Sequence, residues 1–189
     1  MSSNSIIKFE DENDFLSNFH PSPITIYYPS LDIDITFPTV EHAFQASKMV
    51  MPTEEGLQIF AAYDNPNKAK RSGRMITLRQ DWETVKYRVM YDLIKLKFEQ
   101  NPKLAKKLMK TYGMKLIEFN DWHDTTWGRC TCKECKGGGK NYLGKILKYI
   151  REELVHRERL NYLNNKFFTK TGVSIINEGV LNDLKTTTV

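Results

Sequence analysis

The hydrophobic pattern of the N-terminal part of the chain has the period of two that is typical of half-buried β-strands. Residues 31–36 alternate leucine or isoleucine with aspartate or threonine, and residues 24–28 are rich in β-branched and aromatic side chains. With Pro29 and Ser30 as the turn between them, the two runs predict a β-hairpin. A shorter apolar run at residues 6–9 is a candidate edge strand.

From residue 53 onward the period changes to about 3.6, which predicts helices almost throughout. These helices are expected over residues 53–62, 67–74, 81–100, 102–110 and 142–156. The longest of them has a predicted buried stripe formed by Val85, Val89, Leu93 and Leu96. Residues 115–119 are a further strand candidate, and residues 120–141 show no regular pattern.

Many helices with a few short strands, expected to pair in antiparallel fashion, predict an α+β fold. We expect a single compact, predominantly helical domain over residues 1–156. Residues 157–189 contain apolar patches without a clear period. They are predicted to form an appendage that either packs on the domain or binds a partner.

A short helix is also predicted directly after the hairpin. Pro38 suits the first turn of a helix, and Thr39 offers a capping hydroxyl. In such a helix Glu41, Gln45 and Lys48 lie at positions i, i+4 and i+7 and share one face. Spacing alone favours a solvated face of an amphipathic helix, but a carboxylate, an amide and an ammonium pointing the same way also suit a binding site.

Composition narrows the class of protein only modestly. Of the 189 residues, 40% are hydrophobic and 27% are charged, as in an ordinary globular domain. The sequence has no apolar run of about 18 residues and no secretory signal, and its three cysteines do not form a disulfide framework, so we expect no membrane contact and a cytoplasmic location. The net charge of +5 would suit a phosphate-bearing ligand or a nucleic acid.

Several short motifs occur in a fixed order along the chain. They are Phe15-Leu16-Ser17-Asn18-Phe19 with Pro21-Ser22-Pro23, Thr39-Val40-Glu41-His42-Ala43-Phe44-Gln45-Ala46 with Lys48, Ala69-Lys70 with Gly73-Arg74, Arg79-Gln80-Asp81-Trp82, Val89-Met90, Asp124 with Trp127-Gly128, and Gly139-Lys140-Asn141-Tyr142-Leu143-Gly144. Together they resemble the YbiA/NADAR family over about residues 8–156. Each motif alone would be unspecific, whereas their combination is specific.

The resemblance implies a compact, mostly helical α+β domain with N-glycosidase activity. Such an enzyme hydrolyses the C–N bond that joins ribose to a base or an aminopyrimidine, and it requires no cofactor. Two substrate classes are associated with the family: phosphoribosylamino-pyrimidine intermediates of riboflavin synthesis, and ADP-ribose attached to guanine in nucleic acid. The expected partners are therefore a phosphorylated ribosyl or ADP-ribosyl substrate, or a nucleic acid that carries ADP-ribosyl-guanine. The alternative is a module that binds ADP-ribose, a nucleotide or nucleic acid without hydrolysis.

The resemblance also implies site residues. Breaking a ribosyl C–N bond builds positive charge on the sugar, which a carboxylate stabilises. The family motif assigns this role to Glu41, and Asp124 is the second candidate catalytic carboxylate, although an aspartate in a loop often only caps a turn. The candidate substrate-binding residues are Asn18, Phe19, Gln45, Lys48, Arg74, Trp82, Trp127 and Asn141. Trp82, which opens a predicted helix, is on pattern alone as well explained as a core residue.

Phosphate groups need cationic donors, and four basic side chains are candidates for this role: Lys48, Lys70, Arg71 and Arg74. Among them Lys48 and Arg74 match the family motifs and are the preferred pair. A lysine-rich helix otherwise serves as a solvated surface.

A cysteine-containing loop departs from the simplest family pattern, because residues 129–138 are inserted after Trp127-Gly128. Cys130, Cys132 and Cys135, with His123 upstream, are candidate ligands of a structural zinc ion. The alternative is that the three thiols are reduced and unliganded in a surface loop.

Overall fold

The structure is a computed structural model that describes residues 6–9 and 11–171. Its strands are β1 (Ile6–Lys8), β2 (Ile24–Tyr28), β3 (Ile33–Phe37), β4 (Lys115–Ile117), β5 (Phe119–Asn120) and β6 (Arg129–Cys130). Its helices are α1 (Val40–Ala46), α2 (Glu54–Ala61), α3 (Pro66–Ser72), α4 (Trp82–Gln100), α5 (Pro102–Lys110) and α6 (Tyr142–Thr171), with a 3₁₀ helix at Asp11–Leu16. The predicted helix-dominated α+β fold is confirmed.

The strands pair in three separate two-stranded sheets within the described residues. β2 and β3 form the predicted antiparallel hairpin. The expectation of antiparallel pairing does not hold for the other two pairs, since β1–β4 and β5–β6 are parallel. The β2–β3 hairpin and helices α1 to α5 separate β1 from β4 along the chain, and residues 121–128 separate β5 from β6, so neither pair is a hairpin.

Helix α4 runs through the hydrophobic core and packs against α1, α5, α6 and β2. Its fully buried side chains include Met90, Ile94 and Phe98, whereas the predicted stripe residues Val85 and Val89 are only partly buried. The helix therefore turns a neighbouring face to the core. That face carries a lysine, which a search for apolar periodicity does not count.

Helix α6 is longer than predicted. The expected end near residue 156 lies inside the helix, which continues to Thr171 because no glycine or proline interrupts it after Gly144. The predicted appendage over 157–189 thus begins as helix, and its remainder, 172–189, lies outside the described residues. None of the helices in the described part of the chain is both long enough and apolar enough to span a membrane.

The lysine on the core-facing side of α4 anchors the loop that precedes the hairpin. Lys97 is 1% exposed, and its Nζ donates a hydrogen bond of 2.7 Å to the carbonyl oxygen of Ser17. Burial lowers the pKa of Lys97 to about 7. The next residue, Asn18, accepts a backbone hydrogen bond of 3.1 Å from Glu41. Lys97 therefore fixes the loop against the start of α1.

The buried lysine predicts a specific pH dependence of stability. In the unfolded chain Lys97 holds its proton up to about pH 10.4, whereas the folded protein releases it near pH 7. The free energy of unfolding should therefore rise with pH between these values, by up to about 1.4 kcal/mol per pH unit. Urea unfolding of the wild type and of Lys97→Met across this range isolates the effect. Equal pH dependence in both proteins would contradict it.

Candidate active site

Helix α1 forms the floor of the site, and all seven of its residues are buried. Thr39 caps the helix by accepting a hydrogen bond from the backbone N–H of His42. The His42 ring is engaged on both sides, with Nδ1 2.8 Å from Thr39 Oγ1 and Nε2 3.2 Å from the carbonyl oxygen of Tyr63. His42 thus holds α1 in place from within the protein.

The face of α1 that carries Glu41 and Gln45, together with Lys48 just beyond the helix, lines a cavity of about 410 Å³. Glu41 is 5% exposed and Gln45 is 3% exposed, so this face is not a solvated helix surface. Gln45 Nε2 donates a hydrogen bond of 2.7 Å to Glu41 Oε1. Glu41 and Gln45 share the predicted face of α1, and Lys48, just beyond the end of the helix, lines the same cavity.

Burial raises the pKa of the Glu41 carboxyl, since a charge is costly away from water. The hydrogen bond from Gln45 and the positive charges of Lys70, Lys48 and Arg74 act in the opposite direction. The pKa of Lys48 is in turn lowered by burial, against the attraction of Glu41. The charge of Glu41 and the charge of Lys48 therefore stabilise each other in the cavity.

A glycine allows α3 to approach Gln45 closely. A Cβ atom on Gly73 would lie 2.0 Å from Gln45 Oε1, so a larger residue there would displace the amide. The carbonyl oxygen of Gly73 also accepts a hydrogen bond of 3.4 Å from Lys48 Nζ. The motif Ala69-Lys70 with Gly73-Arg74 therefore has a glycine where the end of α3 packs closely against α1.

A second carboxylate, Glu118, lies between β4 and β5 and lines the same cavity; the residue is partly buried, and its Oε2 atom is fully buried. Burial, with the negative charges of Asp124 and Glu41, raises its pKa to about 7 against the opposing charge of Lys70. Sequence reasoning missed this residue because it lies inside a run expected to form one strand. The available signal was a lone carboxylate in an otherwise apolar run.

Asp124 lines the same cavity, and it also caps a turn. Its Oδ1 accepts hydrogen bonds from the backbone N–H groups of Thr126 (3.0 Å) and Trp127 (2.9 Å). Its backbone N–H and carbonyl are bound by the Asn120 side chain. Both roles considered for Asp124 from the sequence, turn cap and site residue, are therefore compatible with its placement.

Aromatic side chains form the apolar wall of the cavity. Trp127 lines it and contacts Phe44 edge-on, with ring centroids 5.6 Å apart. Trp82 lies behind Phe44 in the core, 5% exposed, and does not line the cavity. Trp122, which the sequence analysis did not single out, is 58% exposed and lines the cavity beside Phe19. Its signal was an exposed aromatic residue in the irregular loop.

Unpartnered polar atoms are concentrated in this cavity. Among the side chains that the structure describes, four buried nitrogen or oxygen atoms lack a hydrogen-bond partner. Three of them belong to residues that line the cavity: Asn18 Oδ1, Gln45 Oε1 and Glu118 Oε2. Because buried polar atoms are normally hydrogen-bonded, these three acceptors are suited to bind the hydroxyl or N–H groups of a ligand.

Asn141, a predicted binding residue, lies outside this cavity. Its side chain accepts a hydrogen bond of 3.1 Å from the backbone N–H of Glu118 and donates one of 2.9 Å to the carbonyl oxygen of Leu116. It therefore positions the backbone that carries Glu118. Asn141 borders a separate cavity of about 440 Å³, whose acidic residue, Glu152, is 43% exposed and pairs with Lys148.

The cavity continues outward into a more open basic shelf of about 670 Å³. The shelf is lined by Phe19, Asn67, Lys70, Arg71, Arg74 and Trp122. Lys70 Nζ lies 5.4 Å from the centroid of the Phe19 ring and 5.8 Å from that of Trp122. Of the preferred phosphate candidates, Lys48 lies in the inner cavity and Arg74 borders both spaces.

The chain is similar to known proteins in sequence and in fold. The model of the NADAR domain matches residues 7–155. The N-glycosidase YbiA of Escherichia coli is 37% identical over 147 residues, which cover 77% of this chain and 83% of that protein. The chloroplastic riboflavin biosynthesis protein PYRR of Zea mays is 37% identical over 150 residues, which cover 74% of this chain and only 23% of the maize protein. The NMR structure of E. coli YbiA superposes with a TM-score of 0.66 and 34% identity over 84% of this chain and 89% of that one. The chain belongs to the NADAR domain family.

Proposed function

We propose that the cavity between α1 and residues 118–127 is the active site of an N-glycosidase. The observation that carries the proposal is the pair of buried carboxyl groups, Glu41 and Glu118, which line one cavity and have raised pKa values. Acid–base catalysis at neutral pH needs carboxyl groups of this kind. The related proteins that are named N-glycosidases support the same conclusion. The chain is thus a hydrolase that acts on N-glycosyl compounds.

Glu41 takes the role of the carboxylate that stabilises the oxocarbenium-like transition state and receives a proton from the attacking water. This role is supported by the groups that favour the charged form of Glu41, namely the Gln45 amide and the nearby cations. As the C–N bond breaks, the new C–O bond forms between the ribose carbon and this water.

Glu118 takes the role of the acid that protonates the leaving nitrogen. This role is supported by the pKa of Glu118, which is raised to about 7, so that a large fraction of the carboxyl is protonated at neutral pH. The neighbouring Asp124 contributes by its charge, which raises that pKa, and by holding the turn that presents Trp127. In this assignment Asp124 is a positioning residue.

The substrate that we propose first is a phosphoribosylamino-pyrimidine. Trp127 and Phe44 provide an apolar surface for the flat ring, and Lys48, Lys70 and Arg74 provide charges for the phosphate. The similarity to a riboflavin biosynthesis protein supports this class, although the chain spans about a quarter of that protein's length. The products would be ribose 5-phosphate and the free aminopyrimidine.

The basic shelf favours a second candidate, ADP-ribose attached to guanine in nucleic acid. This substrate extends beyond a single ribosyl phosphate, and it needs further cations and a stacking surface outside the inner cavity. Lys70, Arg71 and Trp122 line the shelf, and Lys70 and Trp122 also line the inner cavity. The bond broken and the roles of Glu41 and Glu118 would be the same.

Glu41→Gln tests the reaction. We expect turnover to fall by about 10²- to 10⁴-fold with folding intact, because the amide keeps the shape of the side chain but cannot accept the proton of water. The measurement is mass-spectrometric product analysis with a phosphoribosylamino-pyrimidine and, in parallel, with an oligonucleotide that carries ADP-ribosyl-guanine. The preferred substrate is the one with the higher kcat/KM.

The matched control for this variant is Glu55→Gln, an exposed carboxylate in the first turn of α2, which should retain full activity. Full activity of Glu41→Gln would remove Glu41 from the mechanism. Tight binding of both substrates without any product from the wild type would instead indicate a non-hydrolytic binding module.

The pH dependence of kcat/KM tests the role of Glu118. Activity should decline above about pH 7 as Glu118 loses its proton. Asp124→Asn keeps Oδ1 as an acceptor for the turn but removes the charge that raises the Glu118 pKa, so this decline should move to lower pH. Asp121→Asn, an exposed neighbour, should leave the profile unchanged. A profile of Asp124→Asn identical to that of the wild type would exclude Glu118 as the acid.

A further inference from the structure

A compact cluster of metal-binding side chains lies beside the cavity wall. The Nδ1 or Nε2 atom of His123 and the Sγ atoms of Cys130, Cys132 and Cys135 all lie within 4.8 Å of one another. Three thiols and an imidazole are a donor set that selects zinc. We propose that these four residues bind a structural Zn²⁺ ion.

The distances match a tetrahedral zinc site. His123 Nδ1 lies 3.5 Å from both Cys132 Sγ and Cys135 Sγ. Zinc bonds of about 2.3 Å to sulfur and about 2.0–2.1 Å to nitrogen, at tetrahedral angles, place nitrogen and sulfur ligands about 3.6 Å apart. The two nitrogen–sulfur distances are therefore close to those of a zinc site, and the remaining ligand atoms lie within 4.8 Å of them.

Hydrogen bonds around the cluster also suit metal-bound thiolates. The backbone N–H of His123 points to Cys130 Sγ at 3.3 Å, and that of Cys135 points to Cys132 Sγ at 3.4 Å. His123 Nε2 lies 3.9 Å from Glu134 Oε2, an oxygen that also lies 3.2 Å from Cys132 Sγ at the edge of the cluster. A carboxylate near the second ring nitrogen is the usual way to fix the orientation of a histidine ligand.

The backbone of the loop has the turns that this cluster needs. Lys136 and Gly137 both have positive φ, at 49° and 79°, and they turn the chain back after Cys135. The N–H of Gly137 then donates a hydrogen bond of 2.7 Å to the carbonyl oxygen of Cys130. The insertion thus closes on itself around the four side chains.

The ion would be structural, because four protein ligands leave no open position for water or substrate. Its effect on the active site would be indirect. His123 lies between Trp122 and Asp124, which line the cavity, so the ion would tie this wall to the insertion. This inference does not depend on the proposed reaction.

Metal analysis of the full chain, purified in reducing buffer without chelator, tests the site. We expect about one zinc ion per chain by elemental mass spectrometry. Replacement by Co²⁺ should give the intense visible absorption of tetrahedral thiolate-bound cobalt. Removing the metal with a strong chelator should lower the melting temperature by several degrees and speed hydrogen exchange in residues 120–138.

Cys132→Ser and Cys135→Ser should each lose most of the bound zinc. Lys133→Ser, an exposed change in the same loop, should retain it. If the wild type holds no zinc after purification and after loading with Zn²⁺, and its three thiols react freely with a thiol reagent, the proposal is wrong. It is equally wrong if both cysteine variants bind zinc as the wild type does.

Discussion

The cost of burying carboxyl groups is the constraint on which the site depends. Glu41 and Glu118 line one cavity, where burial raises the pKa of each group and the charges of Asp124 and Glu41 raise that of Glu118 further. The hydrogen bond from Gln45 and the charges of Lys70, Lys48 and Arg74 partly offset this cost for Glu41. The same desolvation that is costly for folding raises the pKa of both groups, and it brings that of Glu118 to about 7, which suits proton transfer at neutral pH.

Much of the remaining structure keeps these groups in position. Asn141 binds the backbone N–H of Glu118, and Lys97 binds the loop that contacts the start of α1. Two glycines permit close packing around Glu118: a Cβ atom on Gly128 would lie 2.5 Å from the Glu118 carbonyl oxygen, and one on Gly144 would lie 2.2 Å from the Leu116 carbonyl oxygen. Several residues of the family motifs therefore act by positioning the backbone.

The sequence predicted the features that depend on local periodicity. The hairpin, the helices and the shared face of Glu41, Gln45 and Lys48 all follow from spacing within a few residues. Spacing did not show that this face is buried, because the elements that cover it come from distant parts of the chain. Glu118 was missed for the same reason, because the cavity that it lines is formed with residues from distant parts of the chain. The parallel pairing of β1 with β4 likewise depends on the path of the whole chain.

A pH titration of the glutamate carboxyl carbons by ¹³C NMR measures the pKa values of the two groups without relying on activity. Glu41→Gln and Glu118→Gln assign the two resonances. We expect the Glu118 carboxyl to titrate near pH 7 and Glu41 to titrate above the usual range of glutamate, and we expect added ribose 5-phosphate to shift both resonances. Titration of both groups near the ordinary value of about 4.3, with no response to ribose 5-phosphate, would exclude them as the catalytic pair.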